Sequence, residues 1–244
     1  MRALILAAGR GTRISRYLNG KPKCTVDIGG ITLIENTVIQ LKKAGITDIA
    51  ICLGYKQQDI KSILKEHDVK YYYNPFFDIS NSIASTWFAK DFIQDDIIIM
   101  NGDVFLEEQL LQDIIKESMS PVLFCDVTRK EEADYKFYFE DNLLIKYGKE
   151  LEGEDVSGEY IGVAKISKDN VDLFKESLDK LINSQNHGLW WENALYCLSD
   201  KMNIYVKSIE DRFWAEVDYI EDYERILAFR DYKVIYNMKI EQKE

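Results

Sequence analysis

The 244-residue chain has little histidine and little proline, two and three residues respectively. His67 and His187 are far apart. So are Cys24, Cys52, Cys125 and Cys197, and no C-x-x-C pair occurs. Those spacings exclude a structural zinc site, and four cysteines are too few for a disulfide scaffold. Four buried thiols in a reducing cytoplasm are expected instead. Long apolar runs are also missing, the longest candidate being Ile97 to Met100, so no membrane span is expected. Met1-Arg2 followed by Ala3 to Ala8 imitates a short signal peptide, but Gly9-Arg10-Gly11 ends it at once. The expectation is a soluble cytoplasmic protein. Positive charge is scarce as well. With 31 basic against 42 acidic residues the net charge is −11, the wrong balance for a nucleic-acid partner.

What the chain does have is 46% hydrophobic and 30% charged residues, enough for one substantial core. The expected organisation is a single domain over residues 1–232 and a tail over 233–244. Ala3 to Leu6, Ile49 to Leu53, Val69 to Tyr73 and Ile97 to Met100 read as strands, the apolar runs among them as strands buried on both faces. Leu33 to Ala44 and Gln57 to Leu64 read as the helices between them. This alternation predicts an α/β fold with a mostly parallel sheet whose ligands sit at the carboxyl ends of the strands. Val122 to Val127, Tyr135 to Glu140, Leu143 to Tyr147 and Tyr160 to Ile166 follow with short connections and predict an antiparallel extension. Helices at Asn170 to Ile182 and Trp191 to Ser199, a strand near Ile204 to Val206 and a helix from about Asp218 complete the reading.

Gly9-Arg10-Gly11-Thr12-Arg13 follows the first strand, where glycines let backbone amides approach a phosphate. The turn fits neither familiar motif. Ile14 occupies the third glycine position of a dinucleotide turn, and Gly20-Lys21 is followed by Pro22 where a P-loop has Ser or Thr. Between Arg10 and Lys23, however, stand Arg10, Arg13, Arg16, Lys21 and Lys23, a basic concentration in an acidic chain. Asp103, after the Ile97 strand, and Glu216 with Asp218, spaced to share one strand face, supply carboxylates from remote segments. Carboxylates opposite a glycine and lysine loop suit metal-assisted phosphoryl or nucleotidyl transfer.

Leu6 to Arg13 with Pro22-Lys23, together with Asp103, Glu159 and the Glu216-x-Asp218 pair, resembles the sugar-nucleotide-type nucleotidyltransferases over nearly the whole chain. The resemblance implies a Rossmann-like mixed sheet flanked by helices, and attack of an acceptor phosphate or phosphonate on the α-phosphate of a nucleoside triphosphate. It also implies roles. Gly9, Gly11 and Arg13 hold the leaving phosphates, Lys23 lies by the α-phosphate, Asp103 and Asp218 hold Mg²⁺, and Glu216 orients that shell or is structural. Thr12 belongs to the nucleotide-binding loop. No general base is needed, which agrees with the scarcity of histidine.

The stretch Asn74 to Ser85 departs from the hexose-phosphate branch and is similar to cytidylyltransferases acting on phosphocholine or 2-aminoethylphosphonate. Asn81, Ser82 and Ser85, with Leu6 and Ala8, are the candidates for reading cytosine, although Asn81 or Ser82 also suits a helix cap. Trp190-Trp191-Glu192 resembles the Trp-Glu-Asp segment of that branch, with Asn193 in place of the Asp. Trp190, Glu192, Tyr160 and Glu159 are therefore the acceptor candidates, with Glu216 beside them. A phosphorylated amino acid or its amide remains an alternative acceptor. A hexose-1-phosphate nucleotidyltransferase using UTP or dTTP, and a catalytically silent nucleotide-binding module, remain alternative functions. The chain length leaves no room for an appended β-helix domain. A homodimer is compatible with the resemblance.

Overall fold

The computed structural model describes residues 1–11 and 18–241. In chain order the elements are β1 (Arg2–Ala7), α1 (Leu33–Lys43), β2 (Asp48–Leu53), α2 (Gln57–Ile63), β3 (Lys70–Tyr73), α3 (Ser82–Phe88) and β4 (Ile97–Asn101). β5 (Val104–Leu106), α4 (Glu108–Lys116), β6 (Val122–Asp126), β7 (Lys136–Glu140), β8 (Leu143–Gly148) and β9 (Gly158–Ile166) follow. α5 (Lys168–Asn183), α6 (Asn193–Tyr196), β10 (Tyr205–Ser208), β11 (Trp214–Glu216) and α7 (Ile220–Glu241) complete the chain.

Nine strands form one mixed sheet in the order β3-β2-β1-β4-β9-β6-β10-β8-β7. The first four are parallel. β9 then runs antiparallel to both β4 and β6, so the expected antiparallel extension is anchored inside the sheet. Alternation along the strands explains why they read as continuous apolar runs. Ala3, Ile5 and Ala7 pack into one core with Ile49, Ile51 and α1, whereas Leu4, Ala50 and Cys52 pack on the opposite face with α3 and α5. α1 begins where Thr32 accepts a hydrogen bond from the Glu35 amide, and its Ile34, Val38 and Leu41 face the sheet at helical spacing.

Two elements were not anticipated, β5 and α4. β5 pairs with β11 as a separate two-stranded ribbon, and a third apolar cluster ties it down: Phe105, Ala215 and Val217 pack with Ile28, Leu33 and Ile226 of α7. Burying side chains of this size contributes about 1.5–3 kcal/mol each. Trp214 adds a buried hydrogen bond from its indole to Asp126 (2.7 Å).

Three local expectations differ. Glu216 ends β11 and Asp218 lies beyond it, so the two do not share a strand face. The helix expected over Trp191 to Ser199 is only the four residues of α6. The last helix, expected from about Asp218, begins at Ile220 and runs to Glu241. Among the described residues, no helix is long and apolar enough to cross a membrane.

Candidate active site

The site opens at the carboxyl ends of β1 and β4, where a parallel sheet leaves a crevice. Ribbon register assembles its acidic side. Glu216 pairs with Val104 and the Val217 amide donates to the Asp103 carbonyl at 2.9 Å, which brings Asp103, Glu216 and Asp218 together from segments more than a hundred residues apart. One carboxylate oxygen from each lies within 4.8 Å of the others. Oxygen donors at this spacing fit a hard divalent cation.

Lys23 lies among these carboxylates. Its ammonium is 2.6 Å from Asp103 Oδ2 and also pairs with Asp218. The residue is buried, 8% exposed. It stands in a 3₁₀ turn stapled by the Thr25 hydroxyl to the Pro22 carbonyl (2.8 Å), which aims the side chain inward. Burial disfavours its charge, but Asp103, Asp218 and Glu216 outweigh that and hold the ammonium above the ordinary lysine range. Glu216 shows the converse. Burial and the neighbouring Asp103 push its carboxyl well above the usual range, with Lys23 opposing.

Gly11 has a left-handed backbone (φ +62°), and a Cβ there would come within 2.7 Å of the Lys23 stem. Glycine is therefore required for the loop to close over the lysine. Thr12, expected in the nucleotide-binding loop, and Arg13, expected at the leaving phosphates, lie outside the described residues, as does Arg16. Arg10 is present, its guanidinium over the rings of Tyr55 and Phe77 at 5.6 and 5.8 Å.

Leu6, Ala8, Gly9, Asn81, Ser82 and Ser85 line one cleft of ≈ 240 Å³ together with Trp190, Glu192, Asp103 and Glu216. Asn81 caps α3, accepting from the Ser82 amide at 2.8 Å. The Ser82 hydroxyl accepts from the Trp191 amide (3.0 Å), and Ser85 accepts from Asn74 (3.0 Å). These polar groups are thus both local structure and cleft lining. Asn74, 1% exposed, was not singled out from the sequence. It also bonds Ser80 and the Phe76 amide, shaping the whole base-side loop, and its only sequence signal is its position before Pro75.

The tandem tryptophans divide their tasks. Trp191 is fully buried, its indole donating to Asn101 at 3.4 Å, and this anchor leaves Trp190, 39% exposed, facing the cleft. Asn193 donates to the Trp190 carbonyl at 3.1 Å, so it shapes the turn. Tyr135, Tyr160, Trp190, Glu192 and Glu159 line a deeper compartment with Asp134 and Lys149. Lys149 and Tyr135 were not foreseen, because hairpin residues carry no motif. Glu159 is engaged on both oxygens, by Arg129 Nε (2.6 Å) and by the Asp134 amide (2.8 Å). Burial raises its carboxyl while those two donors pull it back. Burial also raises Glu192, to about 7. Trp87 points away, its indole donating to Asp179 at 2.7 Å, and Phe76 packs against Phe88 at the surface.

Residues 3–156 match the family model described as the MobA-like NTP transferase domain. The chain belongs to this family. Among its relatives is the CTP:phosphoglutamine cytidylyltransferase of Campylobacter jejuni, 30% identical, with 92% of this chain and 98% of that protein covered. The choline-phosphate cytidylyltransferase of Haemophilus influenzae is 28% identical, with 93% of this chain and 96% of that protein covered. The solved CTP:phosphocholine cytidylyltransferase of Streptococcus pneumoniae shares the fold, with a TM-score of 0.79 at 22% identity over 93% of this chain and 98% of that one. The acidic cluster, the inward lysine and the cleft of this NTP transferase lie together at the carboxyl ends of β1 and β4.

Proposed function

We propose that this NTP transferase moves CMP from CTP to a phosphate or phosphonate oxygen of a small acceptor, releasing pyrophosphate. The observation that carries this reading is the convergence of Lys23, Asp103, Glu216 and Asp218 on an opening shared with Asn81, where Asn81, Asp103 and Glu216 also line the adjoining cleft of Ser82 and Ser85. The cytidylyltransferase activity of the relatives supports the choice of CTP.

In the reaction an acceptor oxygen forms a bond to the α-phosphorus while the bond to the β-phosphate oxygen breaks. Both reactants are anionic, so the chief task is to offset their repulsion and the charge on the departing pyrophosphate. Lys23, largely shielded from solvent, supplies a fixed positive charge that acts more strongly than it would in bulk water. Gly9 lets the chain approach a phosphate without a side chain in the way. Asp103, Glu216 and Asp218 fit Mg²⁺, which when bound would neutralise phosphate charge. An ionised acceptor phosphate already has its nucleophilic electron pair, so no protein base is assigned. Asn81, Ser82 and Ser85 are the polar edge available to the base. The proposed setting is cytoplasmic, where nucleoside triphosphates are supplied.

A matrix of CTP, UTP, dTTP and ATP against phosphorylated amines, phosphorylated amino acids and hexose 1-phosphates, read by pyrophosphate release, tests this. Preference for CTP with a small acceptor is expected. Turnover with UTP or dTTP and a hexose 1-phosphate would assign the sugar branch. No turnover with any pair would leave a nucleotide-binding module.

A further inference from the structure

The compartment of the cleft that lies beside Tyr160 carries a further inference, resting on the cytidylyltransferase reading, about the end of the acceptor remote from its phosphate. This compartment is ≈ 100 Å³, more room than a single water needs, and so accepts the end group of a small molecule. Tyr135, Tyr160 and Trp190 form aromatic walls and Glu192 a carboxyl floor. Aromatic faces beside a carboxylate suit a quaternary ammonium when the faces are free. Here one is taken. The Lys149 ammonium lies 5.3 Å from the Trp190 ring centroid and is held by Asp134 Oδ2 at 2.9 Å. The edge of Tyr135 meets the same indole, with centroids 5.2 Å apart and the planes at 85°.

A trimethylammonium brought to that face meets like charge, and it has no N–H to donate to the floor. The polar groups of the compartment ask for a different ligand. Among the described residues neither Tyr160 Oη nor Tyr196 Oη, both buried, meets full hydrogen-bond geometry, with Glu192 beside the first and Tyr135 beside the second, although such groups are normally well paired. Glu192 is 6% exposed and close enough to Tyr160 for each to influence the other. Glu159 is committed to Arg129 and the Asp134 amide, which leaves Lys149 as the cation among the described residues lining this compartment and Glu192 as a buried carboxyl beside it.

We propose that Lys149 is a specificity-determining residue, selecting acceptors whose far end carries a carbonyl or carboxylate oxygen beside N–H donors. A carboxamide and an α-amino acid share this chemistry. The oxygen accepts from the Lys149 ammonium, and the N–H groups donate to Glu192 and the Tyr160 hydroxyl. Lys149 can turn from the indole toward a ligand because its side chain is 41% exposed.

Acceptor binding by calorimetry and initial rates of pyrophosphate release with CTP, on the full chain, test this with phosphoglutamine, phosphoglycolamide, phosphoserine and phosphocholine. In the native chain at least one carbonyl-bearing acceptor should bind about tenfold or more tightly than phosphocholine, the size of one charge-assisted hydrogen bond. Lys149→Met keeps the stem and removes the charge. It should raise Kd and KM for that acceptor about tenfold with a much smaller change in kcat, and tighten phosphocholine. Lys149→Arg should retain the native order. Tighter binding of phosphoglycolamide, which carries a carboxamide and no α-amino acid, than of phosphoserine assigns the carboxamide as end group, and the reverse order assigns the α-amino acid. Tighter binding of phosphocholine by the native chain, or an equal loss for all four acceptors in Lys149→Met, overturns the proposal. Absence of turnover with CTP would overturn the cytidylyltransferase reading alone, since the calorimetric order of acceptors still decides the role of Lys149.

Discussion

Lys23 Nζ lies 2.6 Å from Asp103 Oδ2, so the lysine proposed to face substrate phosphate is also the counter-ion of the acidic cluster. Removing one partner of a buried pair leaves the others uncompensated, at a cost of about 3–5 kcal/mol. Lys23→Met should therefore lower both turnover, by about 10² or more, and the melting temperature in the absence of divalent cation. Added Mg²⁺ should recover more of the melting temperature in this variant than in the native chain, because a cation replaces the missing ammonium. Scanning calorimetry with and without Mg²⁺ checks this, and equal shifts in both proteins would separate Lys23 from the carboxylates.

Asp218 contributes an oxygen to the three-carboxylate cluster and is two residues beyond Glu216 in an irregular turn. Asp218→Asn retains the size and removes the charge. The Mg²⁺ concentration for half-maximal rate should rise about tenfold or more, as expected when a hard cation loses an anionic oxygen. A metal titration that superimposes on the native one would remove Asp218 from the ligand set.

Glu192 should make stability depend on pH. Its carboxyl is raised from the ordinary 4.5 to about 7 by burial, so between those values the folded chain binds more protons than the unfolded one. Stability from this group is present below pH 4.5 and lost as pH rises through about 7, a loss on the order of 3 kcal/mol. Glu192→Gln lacks that loss, so its stability relative to the native chain should be more favourable at pH 8 than at pH 5. Urea unfolding at both values measures the difference. Parallel pH profiles would show that Glu192 does not titrate in this range.

Cys197 is exposed, whereas Cys24, Cys52 and Cys125 are buried, which corrects the expectation of four buried thiols. Burial also pushes the Cys24 thiol up to about 12, further from the reactive thiolate. A thiol reagent should label one cysteine per native chain rapidly and four after denaturation. Cys197→Ser should abolish the rapid phase, and a persisting fast phase would contradict the packing around the other three.

Local residue pattern specifies some elements of this fold and not others. β4 was recognised because Ile97 to Met100 is buried on both faces and therefore apolar throughout. β5, three residues long, was not, since nothing in Val104 to Leu106 announces a ribbon partner a hundred residues downstream. Trp190 and Trp191 are chemically identical in the sequence, and only docking of the second into the core turns the first toward the cleft.

By itself the sequence determined the α/β alternation, the glycine loop, and Lys23, Asp103, Glu216 and Asp218 as chemically suited groups, because burial periodicity and residue chemistry are local properties. Only the tertiary structure decided that Lys23 is inward and paired, that Glu159 is spent on Arg129, and that Lys149 covers the face of Trp190. Those outcomes depend on which distant elements pack together, through the β5–β11 register and the seating of the β7–β8 hairpin beside the cleft. The scarcity of histidine acquires its meaning there as well, since the chemistry proposed for this cleft is carried by carboxylates, one buried lysine and the ionised acceptor.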